Sequence, residues 1–227
     1  MNRKRGVVMN WKENIGHKLV QAKIVPVLTI QNENIAGKLA DTLALGGITC
    51  AEVTFRTKEA PLCLAQMVWA APKLCVGAGT ILNVEQAKNA KQSGAAFIVT
   101  PAFNPQVIDY CLEQELPVIP GICTPYEVEQ GLRKELSLLK FFPAQACGGT
   151  AMLKALAGPY GQVMFMPTGG ITMENVCDYL ALGNVAACGM SWIAPDRLID
   201  SGDFETILLR CREAVFAAGT IKTKEGK

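Results

Sequence analysis

Lys140 stands in the middle of Ser137–Ala144, "SLLKFFPA", among Leu138, Leu139, Phe141 and Phe142, side chains that avoid water. A strand alternates its faces, so a lysine there can point to solvent. Where helices cover both faces, as in parallel sheets, that exit closes and only a cavity remains. An amine withdrawn from water loses proton affinity and becomes a usable nucleophile near neutral pH. Lys140 is therefore a candidate nucleophile if the sheet is covered on both faces. A second segment, "AEVTFRT", sets Glu52, Thr54 and Arg56 at alternate positions, on one face of a strand. Charges there are costly unless they face a polar cavity. A structural ion pair would account for Glu52 and Arg56. The functional reading gives Glu52 proton transfer and gives Arg56 a substrate carboxylate, which its planar fork suits.

Further along, "GAGT" offers the Thr80 hydroxyl beside glycines that let a ligand approach the backbone, and "VTPAF" and "IPGICT" are turn signals. "PTGG" ends in Thr168, Gly169 and Gly170, and "GMS" in Gly189, Met190 and Ser191. Together they suit a phosphate cradle of backbone amides, provided they follow the last two strands of a barrel.

The elements that would position these residues recur at regular intervals. Apolar runs of strand length end near Ile30, Phe55, Thr80, Ala102, Ile122, Ala144, Gly170 and Ser191. They are continuous rather than alternating, as expected of strands covered on both faces. Helix starts lie between them. Thr124-Pro125 with Glu127 reads as a capping box, Asn104-Pro105 and Asn83 with Gln86 as N-caps, and "ITMEN" as the start after "PTGG". Ile35, Leu39 and Leu43 share one helix face that stops at Gly46-Gly47. Alternating strands and helices mean parallel pairing. Eight such units in roughly 200 residues predict an α/β fold, a compact (β/α)8 TIM barrel. An extra N-terminal helix over Trp11–Ala22 precedes it. The whole chain, 1–227, reads as a single domain with a barrel core over about 24–218. A doubly wound open sheet is the alternative, but the first strand lacks a GxGxxG turn. In a barrel, an inward residue near a strand's C-terminal end faces the active-site mouth, and Lys140 sits there.

At 50% hydrophobic, 19% charged and net +2, the 227 residues suffice for one sizeable core and carry no nucleic-acid signature. The basic "NRKR" is short and reads as a solvated end, and "KTKEGK" as a frayed tail. The nine cysteines form no CxxC pair and are odd in number, so they read as small hydrophobes in a reducing, cytoplasmic setting. No run is long enough to span a bilayer. His17, the one histidine, reads as a surface residue, and its isolation speaks against a protein-bound catalytic zinc. Neither a metal nor a cofactor is expected.

"EVTFRT", "GAGT", "KFFPA", "PTGG" and "GMSW", in this order and spacing, resemble the 2-keto-3-deoxy-6-phosphogluconate (KDPG) and 4-hydroxy-2-oxoglutarate (KHG) aldolase family, over about Lys18 to Ala218. The resemblance implies a homotrimeric, metal-free class I aldolase on a (β/α)8 barrel. Such an enzyme cleaves KDPG to pyruvate and glyceraldehyde 3-phosphate, or KHG to pyruvate and glyoxylate. It places the Schiff-base lysine at Lys140, the acid/base glutamate at Glu52 and the carboxylate-binding arginine at Arg56. Pocket-lining positions fall on Thr80, Pro101, Phe142 and Thr168, and the phosphate site on Gly169, Gly170 and Ser191. The residues themselves agree: an amine nucleophile needs a carbonyl substrate, and loss of water from the carbinolamine needs an acid.

Three positions depart from the family pattern. Gln145 stands where glutamate is common, Cys147 where asparagine is common, and Met190 where glycine is common. Gln145 bears on loop packing or substrate preference, Cys147 on thiol oxidation, and Met190 adds bulk beside the phosphate site. The rival readings are another phosphate-binding barrel enzyme, of the epimerase or thiamine-phosphate-synthase type with Lys140 only binding charge, and a non-enzymatic binding barrel.

Overall fold

The computed structural model describes residues 15–221. The expectations for "NRKR", for the helix start at Trp11 and for the tail "KTKEGK" lie outside the described residues. Within them, α1 (Ile15–Ala22) leads into β1 (Ile24–Leu28), and strands and helices alternate from there. The strands are β2 (Cys50–Thr54), β3 (Cys75–Gly79), β4 (Ile98–Val99), β5 (Val118–Ile119), β6 (Gly121–Ile122), β7 (Leu138–Phe141), β8 (Met164–Pro167) and β9 (Cys188–Met190). The intervening helices are α2 (Glu33–Leu45), α3 (Ala60–Ala70), α4 (Val84–Gln92), α5 (Pro105–Glu113), α6 (Pro125–Arg133), α7 (Gly149–Ala157) and α8 (Val176–Leu180). A short α9 (Asp196–Asp200) precedes the closing α10 (Phe204–Thr220).

All strand pairs are parallel, in one arc β5-β4-β3-β2-β1-β9 and a second arc β6-β7-β8. Bridges Phe165–Val185 and Thr168–Gly189 join β8 to β9. At the other seam, β5 and β6 are halves of one barrel strand divided at Pro120. Proline has no N–H for the ladder, but its carbonyl accepts from the Lys140 N–H at 2.8 Å. The ring therefore closes as a (β/α)8 barrel, with α1 as the extra N-terminal helix and α9 inserted in the last connection. Two expectations are corrected. The fifth strand is interrupted rather than continuous, and the helix after "PTGG" begins at Val176 rather than in "ITMEN", because Asn175 Oδ1 instead accepts from the Thr172 N–H and holds a turn.

The predicted caps form. Asn83 and Asn104 accept from the Gln86 and Val107 N–H groups, and Thr124 with Glu127 makes a reciprocal capping box. On α2, Leu39 and Leu43 are buried and Ile35 is half-buried. Strands β2, β3 and β7 are buried along their whole length, which is why their sequence runs do not alternate. One apolar cluster fills the space between strands and helices. A second fills the lower barrel with Val25, Cys50, Cys75, Phe97, Val99, Ile119, Leu138 and Met166, and α1 closes it from below with Ile15 and Leu19. His17, on the same helix, is exposed as expected. Several cysteines behave as hydrophobes: burial pushes the Cys63 thiol up to about 11 and those of Cys111 and Cys211 up to about 12. Among the described residues no helix is long and apolar enough to cross a membrane.

The floor carries a measurable share of stability. Truncating Leu19, which is fully buried, to alanine should lower the unfolding free energy by about 3 kcal/mol in urea titration.

Candidate active site

The interior changes character one layer above that floor. Glu52, at the third position of β2, and Lys140, at the third of β7, both point inward and are 0% and 4% exposed. Lys140 Nζ donates to Glu52 Oε1 at 3.2 Å, its one hydrogen-bond and ion-pair partner among the described residues. Glu52 Oε2 is buried with no partner, so one oxygen of the carboxylate is free to take part in proton transfer. Room for this carboxylate comes from β3: a Cβ at Gly79 would overlap Glu52 Oε1. On the other side, Gly121 pairs in register with Lys140, and a Cβ there would overlap the Pro101 carbonyl.

Above the pair a recess of about 490 Å³ opens at the C-terminal ends of the strands. Phe142 lines it, two residues beyond Lys140 and with its ring centroid 5.3 Å from Nζ, a separation at which a ring face attracts a cation. Thr168 lines it two residues beyond Met166, the register partner of Lys140. A Cβ at Gly189 would overlap the Thr168 hydroxyl, so the last strand leaves room for that side chain. Gly169 and Gly170 follow with φ of 98° and 76°, a left-handed pair that glycine adopts without strain. The Gly169 carbonyl accepts from the Gln145 N–H at 3.0 Å and the Gly170 carbonyl from Asn175 Nδ2 at 2.9 Å. Ser191 completes this side.

Arg56 lies just past β2, exposed at the rim, and also lines the recess. Its Nε donates to Thr80 Oγ1 at 3.3 Å. Thr80 has φ of 56°, a conformation that costs a β-branched residue energy and gathers at ligand sites. Six of the ten expected site residues therefore line the recess: Arg56, Phe142, Thr168, Gly169, Gly170 and Ser191. Lys140 and Glu52 form the layer beneath, Thr80 reaches the recess through Arg56, and Pro101 stands half-buried one strand from Lys140. Thr29, Asp196 and Arg197 also line the recess and were missed. The signal for Thr29 was present, as it follows the first strand's C-terminal end where barrels build their sites. For Arg197 it was weaker, a lone cation six residues after "GMS".

The family departures resolve differently from one another. Met190 packs into the cluster between barrel and helices, so its bulk does not enter the phosphate side. Gln145 accepts from the Tyr179 hydroxyl at 2.8 Å and packs under Gly170. Cys147 is half-buried beside Cys123.

A buried amine touching a carboxylate beneath an arginine-rimmed recess can form and protonate an adduct with a keto acid. Comparison with known proteins agrees. The family profile described as KDPG and KHG aldolase matches residues 15–210. The chain belongs to the KDPG/KHG aldolase family. It is 43% identical over 203 residues to 2-dehydro-3-deoxy-phosphogluconate aldolase of Treponema pallidum, covering 89% of this chain and 97% of that one. It is 39% identical to the KHG/KDPG aldolase of Escherichia coli K12, covering 92% and 98%. The KDPG aldolase of Legionella pneumophila, solved with pyruvate captured as a covalent carbinolamine, superposes with a TM-score of 0.86 at 37% identity, covering 90% and 99%. Thiamine phosphate pyrophosphorylase of Pyrococcus furiosus, at 14% identity and a TM-score of 0.69, shares the fold alone. The relatives are named as aldolases, and the chain is accordingly a carbon–carbon lyase.

Gly79 tests the packing of the acidic partner. In Gly79→Ala the added methyl overlaps Glu52 Oε1, so aldol cleavage should fall by at least about 100-fold, the contribution of one positioned acid–base group, in a steady-state pyruvate-release assay on protein that still unfolds cooperatively.

Proposed function

We propose that Lys140 is the Schiff-base nucleophile and Glu52 the proton carrier of a class I aldolase acting on KDPG, KHG or both. Their 3.2 Å contact in the buried layer beneath the recess carries this reading. The Lys140 amine attacks C2 of the keto acid, giving a carbinolamine. Glu52 delivers a proton to the departing hydroxyl, water leaves, and the iminium forms. In KDPG the C4 hydroxyl then gives up its proton to the Glu52 carboxylate, the C3–C4 bond breaks, and its electron pair flows to the iminium nitrogen as an enamine. Glyceraldehyde 3-phosphate departs; from KHG the corresponding product is glyoxylate. Glu52 returns that proton to C3 of the enamine, and attack of water on the resulting iminium releases pyruvate and restores the amine.

Arg56, steadied by Thr80, takes the substrate's C1 carboxylate through the planar fork of its guanidinium. Pro101, Phe142 and Thr168 wall the carbon chain, and the amides of Gly169 and Gly170 with Ser191 hold the phosphate. The enzyme works as a single-domain barrel in a homotrimer. Leu62 and Trp69, 59% and 81% exposed and seven residues apart on one face of α3, give it an apolar contact surface. Nine free cysteines suit the cytoplasm.

Steady-state cleavage of KDPG tests the assignment. Lys140→Ala should reduce pyruvate release to the uncatalysed background. Glu52→Gln should keep the fold and lose about 100- to 10,000-fold in kcat. A Lys140→Ala enzyme with wild-type turnover would refute the covalent route.

A further inference from the structure

The recess holds a cation that none of these roles uses. Arg197, the second residue of α9, lines it on the side of Ser191, Gly169 and Gly170, beyond the ends of β8 and β9. Arg56 lines it beyond β2. Arg56 follows β2 and Arg197 follows β9, strands that the ring order β9-β1-β2 separates by β1 alone. Arg197 is uncommitted: among the described residues its guanidinium has no hydrogen bond and no ion pair. The nearby Asp203 carboxylate is occupied by the Thr206 N–H at 3.1 Å and the Thr206 hydroxyl at 2.7 Å. Asp196, also on the rim and exposed, carries the opposite sign. Without Arg197, the side chains of this phosphate side would therefore bring a net negative charge, which works against an anion.

We propose that Arg197 is a specificity-determining residue that binds the terminal phosphate of the substrate and sets a preference for the six-carbon phosphorylated keto acid over shorter or unphosphorylated ones. This rests on the aldolase reading above. A six-carbon 2-keto acid phosphorylated on its last carbon has an anion at each end, as the recess has an arginine at each side. A planar guanidinium donates to two phosphate oxygens at once, and a lysine in its place supplies only a point charge.

The test compares KDPG with unphosphorylated 2-keto-3-deoxygluconate as substrates for wild type, Arg197→Gln and Arg197→Lys, with pyruvate release as readout. The ratio of kcat/KM for the phosphorylated over the unphosphorylated substrate should fall on the order of 10- to 100-fold in Arg197→Gln, and less in Arg197→Lys. An unchanged ratio, whether both rates drop or neither does, overturns the assignment of Arg197 and leaves the Lys140 chemistry standing. A wild type that releases no pyruvate from either substrate overturns the aldolase reading and this one with it.

Discussion

A lysine and a glutamate 3.2 Å apart inside a parallel barrel are the constraint on which the rest of the structure depends. Both side chains are withdrawn from water, and one carboxylate oxygen is left without a partner. For stability alone such a pair is a poor investment: well-packed apolar residues of similar volume often do as well or better, while removing one partner costs about 3–5 kcal/mol. The pair makes sense as chemistry, where an amine must meet a carbonyl and a proton must move beside it. Neighbouring strands are shaped around it. Gly79 vacates the volume that the Glu52 carboxylate fills, and Gly121, the register partner of Lys140, lies against the Pro101 carbonyl.

The barrel supports this layer from both sides. Below it, the inward side chains are apolar and α1 closes the end with Ile15 and Leu19, which confines substrate to the opposite mouth. Above it, Phe142 and Thr168 line the recess two residues beyond Lys140 and Met166, and Arg56 and Arg197 stand exposed at its rim. The amine and the carboxylate are thus buried and the two arginines exposed. Each βα connection contributes to the rim independently, so the family can change its substrate preference in these loops and leave β2 and β7 as they are.

Much of this was legible from the chain. Continuous apolar runs marked the covered strands, Thr124, Asn104 and Asn83 marked helix starts, and Lys140 inside "SLLKFFPA" marked an amine with no outward exit. The alternate spacing of Glu52 and Arg56 led to one buried acid and one rim cation, because β2 ends at Thr54 and releases Arg56 into the loop. Other features depend on tertiary geometry. Met190 turns outward because Gly189 takes the inward position opposite Thr168. The place of Arg197 on the recess depends on α9, a five-residue helix without a side-chain cap that leaves little trace in the sequence.

The central claim is that the buried amine at Lys140 becomes covalently attached to the keto acid. Incubating the protein with pyruvate and borohydride, then measuring intact mass and mapping peptides, tests it directly. One reduced pyruvate per chain, on the peptide that carries Lys140, is the predicted result. Folded protein that gains no mass, or gains it on another lysine, would contradict the account.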